Sequence, residues 1–179
     1  YRIYRPAMVL GHSQTGFIDK IDGPYYFFRL IKRMRALLPQ WVPTIGIEGS
    51  RLNMVPVDYV ADAMDWIAHK PGLDGHCFHL TDPAPQRVGE ALNTFARAAN
   101  APQMTMRVDA RMFAFVPSGI RGAVGSLPPV KRFVGMLLRD FKIPKGVLKF
   151  ITYPTCFDNR ETERALKGSG ISVPKLDDY

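Results

Sequence analysis

Apolar residues along the first hundred positions alternate between the spacing of strands and the spacing of helices. Residues 2–11 alternate in polarity and then become apolar, which predicts a buried strand. Apolar side chains three and four positions apart predict a helix over 56–69 and a second over 85–100. Strands that alternate with helices in this way are typical of an α/β sheet.

Prolines, glycines and shorter apolar runs mark the other elements. Pro24 in a first turn and Pro39 at the end bound a further predicted helix. A last helix begins near 158–161, and Gly168 ends it as a C-terminal cap. Further extended segments are predicted at 41–47, 51–55, 75–83 and 104–109. These strands are too few for a complete doubly wound sheet.

The stretch 112–153 differs from the rest, because it is apolar and basic and is interrupted by prolines. Proline disrupts long helices and central strands, so this stretch predicts short helices. We therefore expect an α/β protein with a helical appendage. The expected domains are the sheet core at 1–103, the basic lobe at 104–154, and a C-terminal helix and tail at 155–179.

The charge of the chain is concentrated in one segment. Its 179 residues carry a net charge of +8, and residues 107–150 alone hold nine basic against two acidic residues. Such a segment attracts an anionic partner, either nucleic acid, a membrane surface or a phosphorylated ligand. With two cysteines and no signal peptide or membrane-spanning apolar run, we expect a cytoplasmic protein.

Two clusters could carry chemistry, and both have a simpler interpretation. His76, Cys77 and His79 have no second cluster to complete a metal site, which favours ordinary strand residues. Asp58 and Asp62, considered with Asp19 and Asp22 as catalytic carboxylates, lie one helical turn apart. That spacing favours a helix cap or a solvated face. We therefore expect no metal site.

The motifs of a self-sufficient dinucleotide enzyme are missing. The sequence has no Gly-x-Gly-x-x-Gly turn, Walker loop or Gly-x-Ser-x-Gly elbow. None of the seven tyrosines is followed four positions later by a lysine, the pairing that would supply a proton donor for carbonyl reduction. We therefore expect no catalytic residue within this chain.

The order of the motifs resembles a known family. RPAMVLG, then RLNMVPVDYVADAM, then FHLTDPAP resembles the C-terminal half of an extended short-chain dehydrogenase/reductase. DKIDGPYYFF and LPQWVPTIGIEG narrow the resemblance to the N-terminal reductase region of bacterial alcohol-forming fatty acyl-CoA reductases. Ala7 stands where that family commonly has glycine, a small change at a position where small size matters.

The resemblance implies NADPH-dependent reduction of a fatty acyl-CoA or fatty aldehyde towards the alcohol. It also implies two partner regions in the same polypeptide. The first is an upstream nucleotide-binding half that carries the glycine-rich turn and the Tyr/Lys pair, and the second is a downstream reductase domain. This chain would then build the substrate side of the cleft, as an α/β protein with a partial Rossmann-like sheet and a mainly helical substrate-binding lobe.

The resemblance also assigns the site residues. Backbone at Pro6, Ala7, Met8 and Val9 is expected to meet the nicotinamide carboxamide of the cofactor. An acyl chain needs a long apolar groove. The phosphates of coenzyme A could be received by Arg29, by Arg33 or by the basic residues around Lys131 and Arg132. The expected groove residues are Tyr25, Tyr26, Phe28, Met112 and Phe113.

Two other classes of function compete with the reductase. A non-catalytic basic domain could dock to a membrane surface or to an acidic partner, and the charged segment is its support. Nucleic-acid binding has the net charge of +8 in its favour, but no helix–turn–helix or RNA-stacking motif. We therefore expect no nucleic-acid partner.

Overall fold

A computed structural model of the protein describes residues 1–109 and 156–179. In chain order the described elements are β1 (Ile3–Pro6), β2 (Met8–Leu10), α1 (Tyr26–Leu37), β3 (Thr44–Glu48), β4 (Met54–Pro56), α2 (Val57–His69), β5 (Cys77–Leu80), α3 (Val88–Ala98), β6 (Met104–Asp109) and α4 (Arg160–Leu166). Short 3₁₀ turns lie at Gly23–Tyr25 and Leu176–Asp178. The expected α/β class with parallel strands and a partial Rossmann-like sheet is confirmed.

These elements belong to two units. The first contains Tyr1–Lys20, Asn53–Gln86 and 156–179, and the second contains Ile21–Leu52 and 87–109. The expected short helices at 112–153 lie outside the described residues. The expected domain boundaries at 103/104 and 154/155 stay predictions.

The three long predicted helices and the last one are confirmed, with ends set by local chemistry. The 3₁₀ turn before α1 contains Pro24, and the Asp22 side chain accepts a hydrogen bond from the backbone N–H of Gly23 (2.7 Å). Gly168 follows α4 with φ of 86°, a conformation that favours glycine. The strand predicted at 51–55 begins instead at Met54, because Arg51 pairs as an isolated bridge with Arg87.

The strand predicted over 2–11 is present but changes its neighbour at Ala7. Its first part, β1, pairs in parallel with β5, and its second part, β2, pairs in parallel with β4. The N–H of Ala7 donates to the Leu80 carbonyl (3.0 Å), and the N–H of Met8 donates to the opposite side, to Asn53 (3.2 Å). Successive N–H groups of a strand point to opposite edges, so residues 3–10 form a central strand of the first unit.

Proline is tolerated in this strand because of where its missing N–H would point. A hydrogen on the nitrogen of residue 6 would point to the same side of the strand as the N–H of Met8, which donates to the Asn53 carbonyl. Pairing between β2 and β4 begins at Met8 and Met54, after Pro6. The proline ring therefore removes no hydrogen bond from that pairing.

The core of the first unit lies between its strands and α2. It contains Val55, Tyr59, Val60, Ala63, Ile67, Phe78, Leu80, Ala165 and Leu166. The α2 members have helical spacing, whereas Phe78 and Leu80 share one face of β5. The hydroxyl of Thr162 in α4 donates to the His79 carbonyl (2.8 Å), which fixes α4 on β5. Arg2 donates from its guanidinium to the carbonyls of Ile67 and Ala68 at the end of α2.

The second unit depends on the buried carboxylate of Glu48, at the end of β3. Glu48 is 6% exposed. Its Oε1 accepts from the N–H of Gly89 in the first turn of α3 (2.9 Å), and its Oε2 accepts from Arg107 of β6 (2.9 Å). A carboxylate is stabilised at a helix N-terminus, where free N–H groups and the helix dipole meet it. One side chain therefore joins two strands and a helix.

We expect Glu48→Gln to lower the free energy of unfolding by about 1–3 kcal/mol, because the neutral amide loses the ion pair with Arg107 and has one acceptor oxygen where the carboxylate used two. The matched control is Glu161→Gln, whose carboxylate pairs with Arg164 at 2.6 Å but is 47% exposed. An exposed pair contributes about 0–1 kcal/mol. Denaturant unfolding of both variants is the measurement, and equal losses would contradict the assigned role of Glu48.

Candidate active site

The carboxyl ends of three parallel strands lie at one edge of the first unit. β2, β4 and β5 end there at Leu10, Pro56 and Leu80. In α/β sheets, ligands bind outside the carboxyl ends of the strands, where the strand order changes. The change of neighbour at Ala7 is such a point, so this edge is the candidate site in the first unit.

Pro6, Ala7, Met8 and Val9, the expected cofactor-binding residues, lie at this change of neighbour. The N–H groups of Ala7 and Met8 are used by the sheet. β5 ends at Leu80, so no described strand receives the N–H of Val9, whose side chain is 40% exposed. Val9 is therefore the residue of the four with a backbone donor available to a ligand. Sequence reasoning did not separate it from its neighbours, because strand pairing decides which donors are used.

The loop after β2 is held against the start of α2. Asp58 accepts two hydrogen bonds from Ser13, one from its N–H (2.9 Å) and one from its hydroxyl (2.5 Å). The hydroxyl of Ser13 donates directly to the carboxylate, and His12 instead accepts from the N–H of Gln14 at its Nδ1 (3.2 Å). A nucleophilic serine would bond to the histidine, so these three residues order the loop.

Burial raises the pKa of the Asp58 carboxyl, but the hydrogen bonds from Ser13 and the nearby His12 outweigh it. The pKa of Asp58 therefore lies below its ordinary value of 3.8. The carboxylate is ionised at neutral pH and accepts rather than donates. Asp58 is thus a positioning residue for the loop and not one of the catalytic carboxylates considered from the sequence.

A tyrosine and a lysine line the same cavity in the first unit, but not as a proton-donating pair. Tyr59 and Lys167 line a cavity of about 250 Å³ with Thr81. Burial, followed by the charges of Asp82 and Glu163, raises the pKa of Tyr59 to about 12. A catalytic phenol needs its pKa lowered towards neutrality. Tyr59 is therefore a poor proton donor, and no catalytic residue is assigned among the described ones.

Aromatic rings form a cluster in the second unit. The rings of Tyr25 and Phe28 meet edge to face at 5.1 Å, and Phe28 meets Phe95 of α3 at 5.1 Å. Phe28 is 42% exposed, so the cluster has an open side. Tyr26 is half-buried at the start of α1. Apolar spacing predicted the helix that contains Phe95 but gave no sign that this ring joins the cluster.

The remaining expected substrate-binding residues are Arg29, Met112 and Phe113. Arg29 is exposed on α1, one residue after Phe28. Met112 and Phe113 lie outside the described residues. The structure therefore brings Tyr25 and Phe28 together and places Arg29 beside them, while the rest of the expected groove stays a prediction.

His79 of β5 and His76, just before that strand, have protein partners. His79 donates from Nδ1 to the Asp158 carbonyl (3.0 Å), and His76 lies 3.6 Å from the Glu161 carboxylate. The described residues contain no group of three or more His, Cys, Asp or Glu side chains able to ligate a metal. Within the same part of the chain, no helix is long and apolar enough to cross a membrane.

The lowered pKa of Asp58 predicts a pH-dependent contribution to stability. A group whose pKa is depressed by folding stabilises above its unfolded pKa, and the contribution is lost as pH falls through the folded pKa. Asp58→Asn should therefore destabilise the protein near neutral pH. Its deficit relative to wild type should shrink as the pH falls below about 3.8. Denaturant unfolding as a function of pH measures this difference.

Asp62→Asn is the control, because Asp62 is exposed one turn further along the same helix. We expect a small difference from wild type at every pH. A deficit for Asp58→Asn that stays constant through the acid range would contradict the role of the ionised carboxylate.

Known proteins resemble this chain over part or all of its length. The NAD-binding family described as "Male sterility protein" matches residues 1–64. The nonribosomal peptide synthetase FrzA of a Cladobotryum species is 36% identical over 98% of this chain, which spans 16% of that protein. The aldehyde reductase lnbA of Aspergillus flavus is 33% identical over 45% of this chain, which spans 7% of that protein. The chain therefore spans a small part of the curated relatives it matches.

A solved structure is also similar to this chain over nearly its whole length. The terminal R domain from the myxalamid PKS-NRPS biosynthetic pathway superposes with a TM-score of 0.60 at 25% identity, covering 98% of this chain and 41% of that domain. Its likeness extends over both described units. Together, the family match and the reductase relatives support a place for this chain in the extended short-chain dehydrogenase/reductase family.

Proposed function

We propose that this chain is the substrate-side portion of an NADPH-dependent reductase that converts a fatty acyl-CoA or fatty aldehyde towards the fatty alcohol. The glycine-rich cofactor turn and the tyrosine–lysine pair belong, in this proposal, to sequence that precedes Tyr1. The family match and the reductase relatives support the more general part of this proposal, that the protein is a reductase with a nicotinamide cofactor.

One observation carries the proposal: the central strand changes neighbour at a small residue and leaves the Val9 N–H without an acceptor in the described strands. A planar nicotinamide ring needs close approach to the backbone, and Ala7 allows it. Its carboxamide oxygen needs a donor, and the Val9 N–H is one. The residues present thus fit one end of the cofactor.

The chemistry divides between bound cofactor and protein. NADPH, when bound, supplies the hydride. Reducing a thioester to an aldehyde takes one hydride and one proton and releases the thiol, and reducing the aldehyde to an alcohol takes a second hydride and proton. The described residues would orient the carbonyl and exclude water, since Tyr59, with its raised pKa, is unsuited to provide the proton.

The second unit offers features suited to a long apolar substrate with a phosphorylated end. The cluster of Tyr25, Phe28 and Phe95 presents partly exposed aromatic surface. Arg29 follows on the exposed face of α1, and a guanidinium pairs well with phosphate. This arrangement favours acyl-CoA over a small polar aldehyde.

A second substrate class has a specific observation in its favour. The synthetase FrzA is 36% identical over nearly the whole of this chain. Its name describes a maker of peptides, which suggests an aminoacyl or peptidyl thioester as the substrate. Such a thioester would be reduced by hydride in the same way as an acyl-CoA. The aromatic cluster would then contact an amino-acid side chain, which is shorter than a fatty acyl chain.

The decisive experiment is NADPH oxidation by the full-length protein with three substrates in parallel. We expect turnover with a long-chain acyl-CoA or its aldehyde, and little with an aminoacyl thioester. Preference for the aminoacyl thioester would select the second class. NADH replaces NADPH in a further series, and equal rates would contradict the cofactor assignment.

Absence of turnover with every substrate, combined with salt-sensitive binding to anionic vesicles, would favour the non-catalytic docking domain. The exposed basic residues of α1, including Arg29 and Lys32, are the feature such a domain would use.

If Phe28 contacts the acyl chain, Phe28→Glu should raise KM for long acyl chains by roughly tenfold, and for short chains much less, because each buried methylene contributes about 0.8 kcal/mol. The matched control is Phe157→Glu, since Phe157 is 49% exposed and contacts His79 in the first unit. Equal losses across chain lengths would exclude an acyl groove at Phe28.

A further inference from the structure

The cavity that Tyr59, Thr81 and Lys167 line contains a buried polar group in need of a partner. Thr81 directly follows β5 and is 3% exposed. Its hydroxyl has no hydrogen-bond partner among the described residues. Buried hydroxyls in folded proteins are nearly always hydrogen-bonded, and an exception points to a bound molecule or an ordered water. The cavity beside Thr81 has a volume of about 250 Å³, which is room for a small organic molecule.

The cavity is separate from the proposed contact with the cofactor. Its walls come from α2, from the segment after β5, and from α4 with residues 171–173 that follow it, all in the first unit. Its described lining residues include none of Pro6–Val9 and not Ser13 of the loop after β2. A molecule bound in the cavity would therefore contact a different set of side chains from the nicotinamide.

One side of the cavity is an apolar wall formed by Leu166, Ile171 and Val173. Leu166 is 8% exposed, and the other two are half-buried and pack against the core of the first unit. Contact with this wall would remove a compact apolar group of a ligand from water. The cavity is therefore suited to a molecule with one aliphatic or aromatic side group.

The cavity is also lined by two residues of opposite charge. Glu163 and Lys167 lie one helical turn apart at the end of α4. A glutamate followed four residues later by a lysine commonly forms an ion pair, but the ion pairs of the described residues include none between these two. One oxygen of Glu163 accepts from the Asn159 amide (3.2 Å), and a carboxylate has capacity for further donors. Both charges can therefore pair with a ligand.

The two charges favour a ligand that carries both signs. Burial first, and then the charges of Asp82 and Glu163, raise the pKa of Tyr59 to about 12, so the phenol is neutral and lies in a negative field. A simple anion would be repelled by these carboxylates, and a simple cation would be repelled by Lys167. A zwitterion can direct its ammonium towards Glu163 and its carboxylate towards Lys167.

We propose that this cavity binds a small zwitterion with one apolar side group, which is the chemistry of a free aliphatic or aromatic α-amino acid. Lys167 pairs with the carboxylate of the ligand, Glu163 pairs with its ammonium, and the Thr81 hydroxyl donates to the carboxylate. The side group contacts the apolar wall. Binding uses no residue of the proposed cofactor contact and requires no NADPH, so it does not depend on the proposed function.

The first test is isothermal titration calorimetry of the full-length protein with L-leucine and with two analogues that share its branched side group. 4-Methylpentanoate lacks the ammonium, and 3-methylbutylamine lacks the carboxylate. We expect leucine to bind and each analogue to bind at least about tenfold more weakly, because each loses one charged contact. Binding of either analogue as tightly as leucine would overturn the zwitterion assignment. Absence of binding by both L-leucine and L-phenylalanine would mean that water alone fills the cavity.

Variants of the charged residues locate the binding. Glu163→Gln and Lys167→Met should each raise the Kd for leucine by about tenfold. The matched controls are Glu161→Gln and Lys175→Met, because both residues are exposed and neither lines the cavity. Leucine binding that is unchanged in both cavity variants, or weakened equally in the controls, would show that leucine binds elsewhere.

Thr81→Val tests the buried hydroxyl, because valine keeps the shape of threonine and removes its polar group. We expect the Kd for leucine to rise, while denaturant unfolding without ligand shows no loss of stability, since the hydroxyl has no described partner to lose. A loss of stability with unchanged leucine affinity would show that the hydroxyl bonds to an internal water or to the protein, and would overturn its role in binding.

Discussion

A central parallel strand must have hydrogen-bond partners along both edges, and most of this protein's first unit is arranged around that requirement. Among the described residues, 3–10 meet it in part: β1 bonds to β5 with one set of N–H groups, and β2 bonds to β4 with the other. The change at Ala7 brings a small residue, a strand end and the exposed Val9 together. The candidate cofactor contact is a consequence of this exchange, because it leaves one backbone donor without a described strand partner.

The proposed function divides the work between regions: the carboxyl edge of this strand offers groups to a cofactor, and the proton donor is assigned to residues outside 1–179. The raised pKa of Tyr59 supports this division, since the tyrosine that shares a cavity with Lys167 is protonated but is a poor acid.

Buried or half-buried carboxylates hold the loops and helix starts around these edges. Glu48 joins β3, α3 and β6 in the second unit, and Asp58 holds the loop after β2 in the first. Each accepts backbone N–H bonds, which stabilise the ionised form. In both cases the carboxylate oxygens of an acidic side chain, which could be mistaken for a catalytic group, already accept hydrogen bonds that hold the fold together.

The sequence by itself determined the elements with strong local signals. The helices α1, α2 and α3 follow from apolar spacing and from Pro24, and the end of α4 follows from Gly168, because helical periodicity and backbone preferences are local properties. The family resemblance could also be recognised from the sequence, because short motifs carry it. The site residues Pro6, Ala7, Met8 and Val9 were named from that resemblance as a group, without a reason to prefer one.

The tertiary structure decided what depends on pairing between distant segments. Which N–H groups of residues 6–9 are used depends on the register of β4 and β5, about fifty and seventy residues away. The contacts of Ser13 with Asp58 and of Phe28 with Phe95, and the cavity that Tyr59 and Lys167 share, join segments whose separation carries no periodic signal. The apolar spacing of α2 was readable from the sequence, but which of its apolar residues are buried depends on the assembled fold.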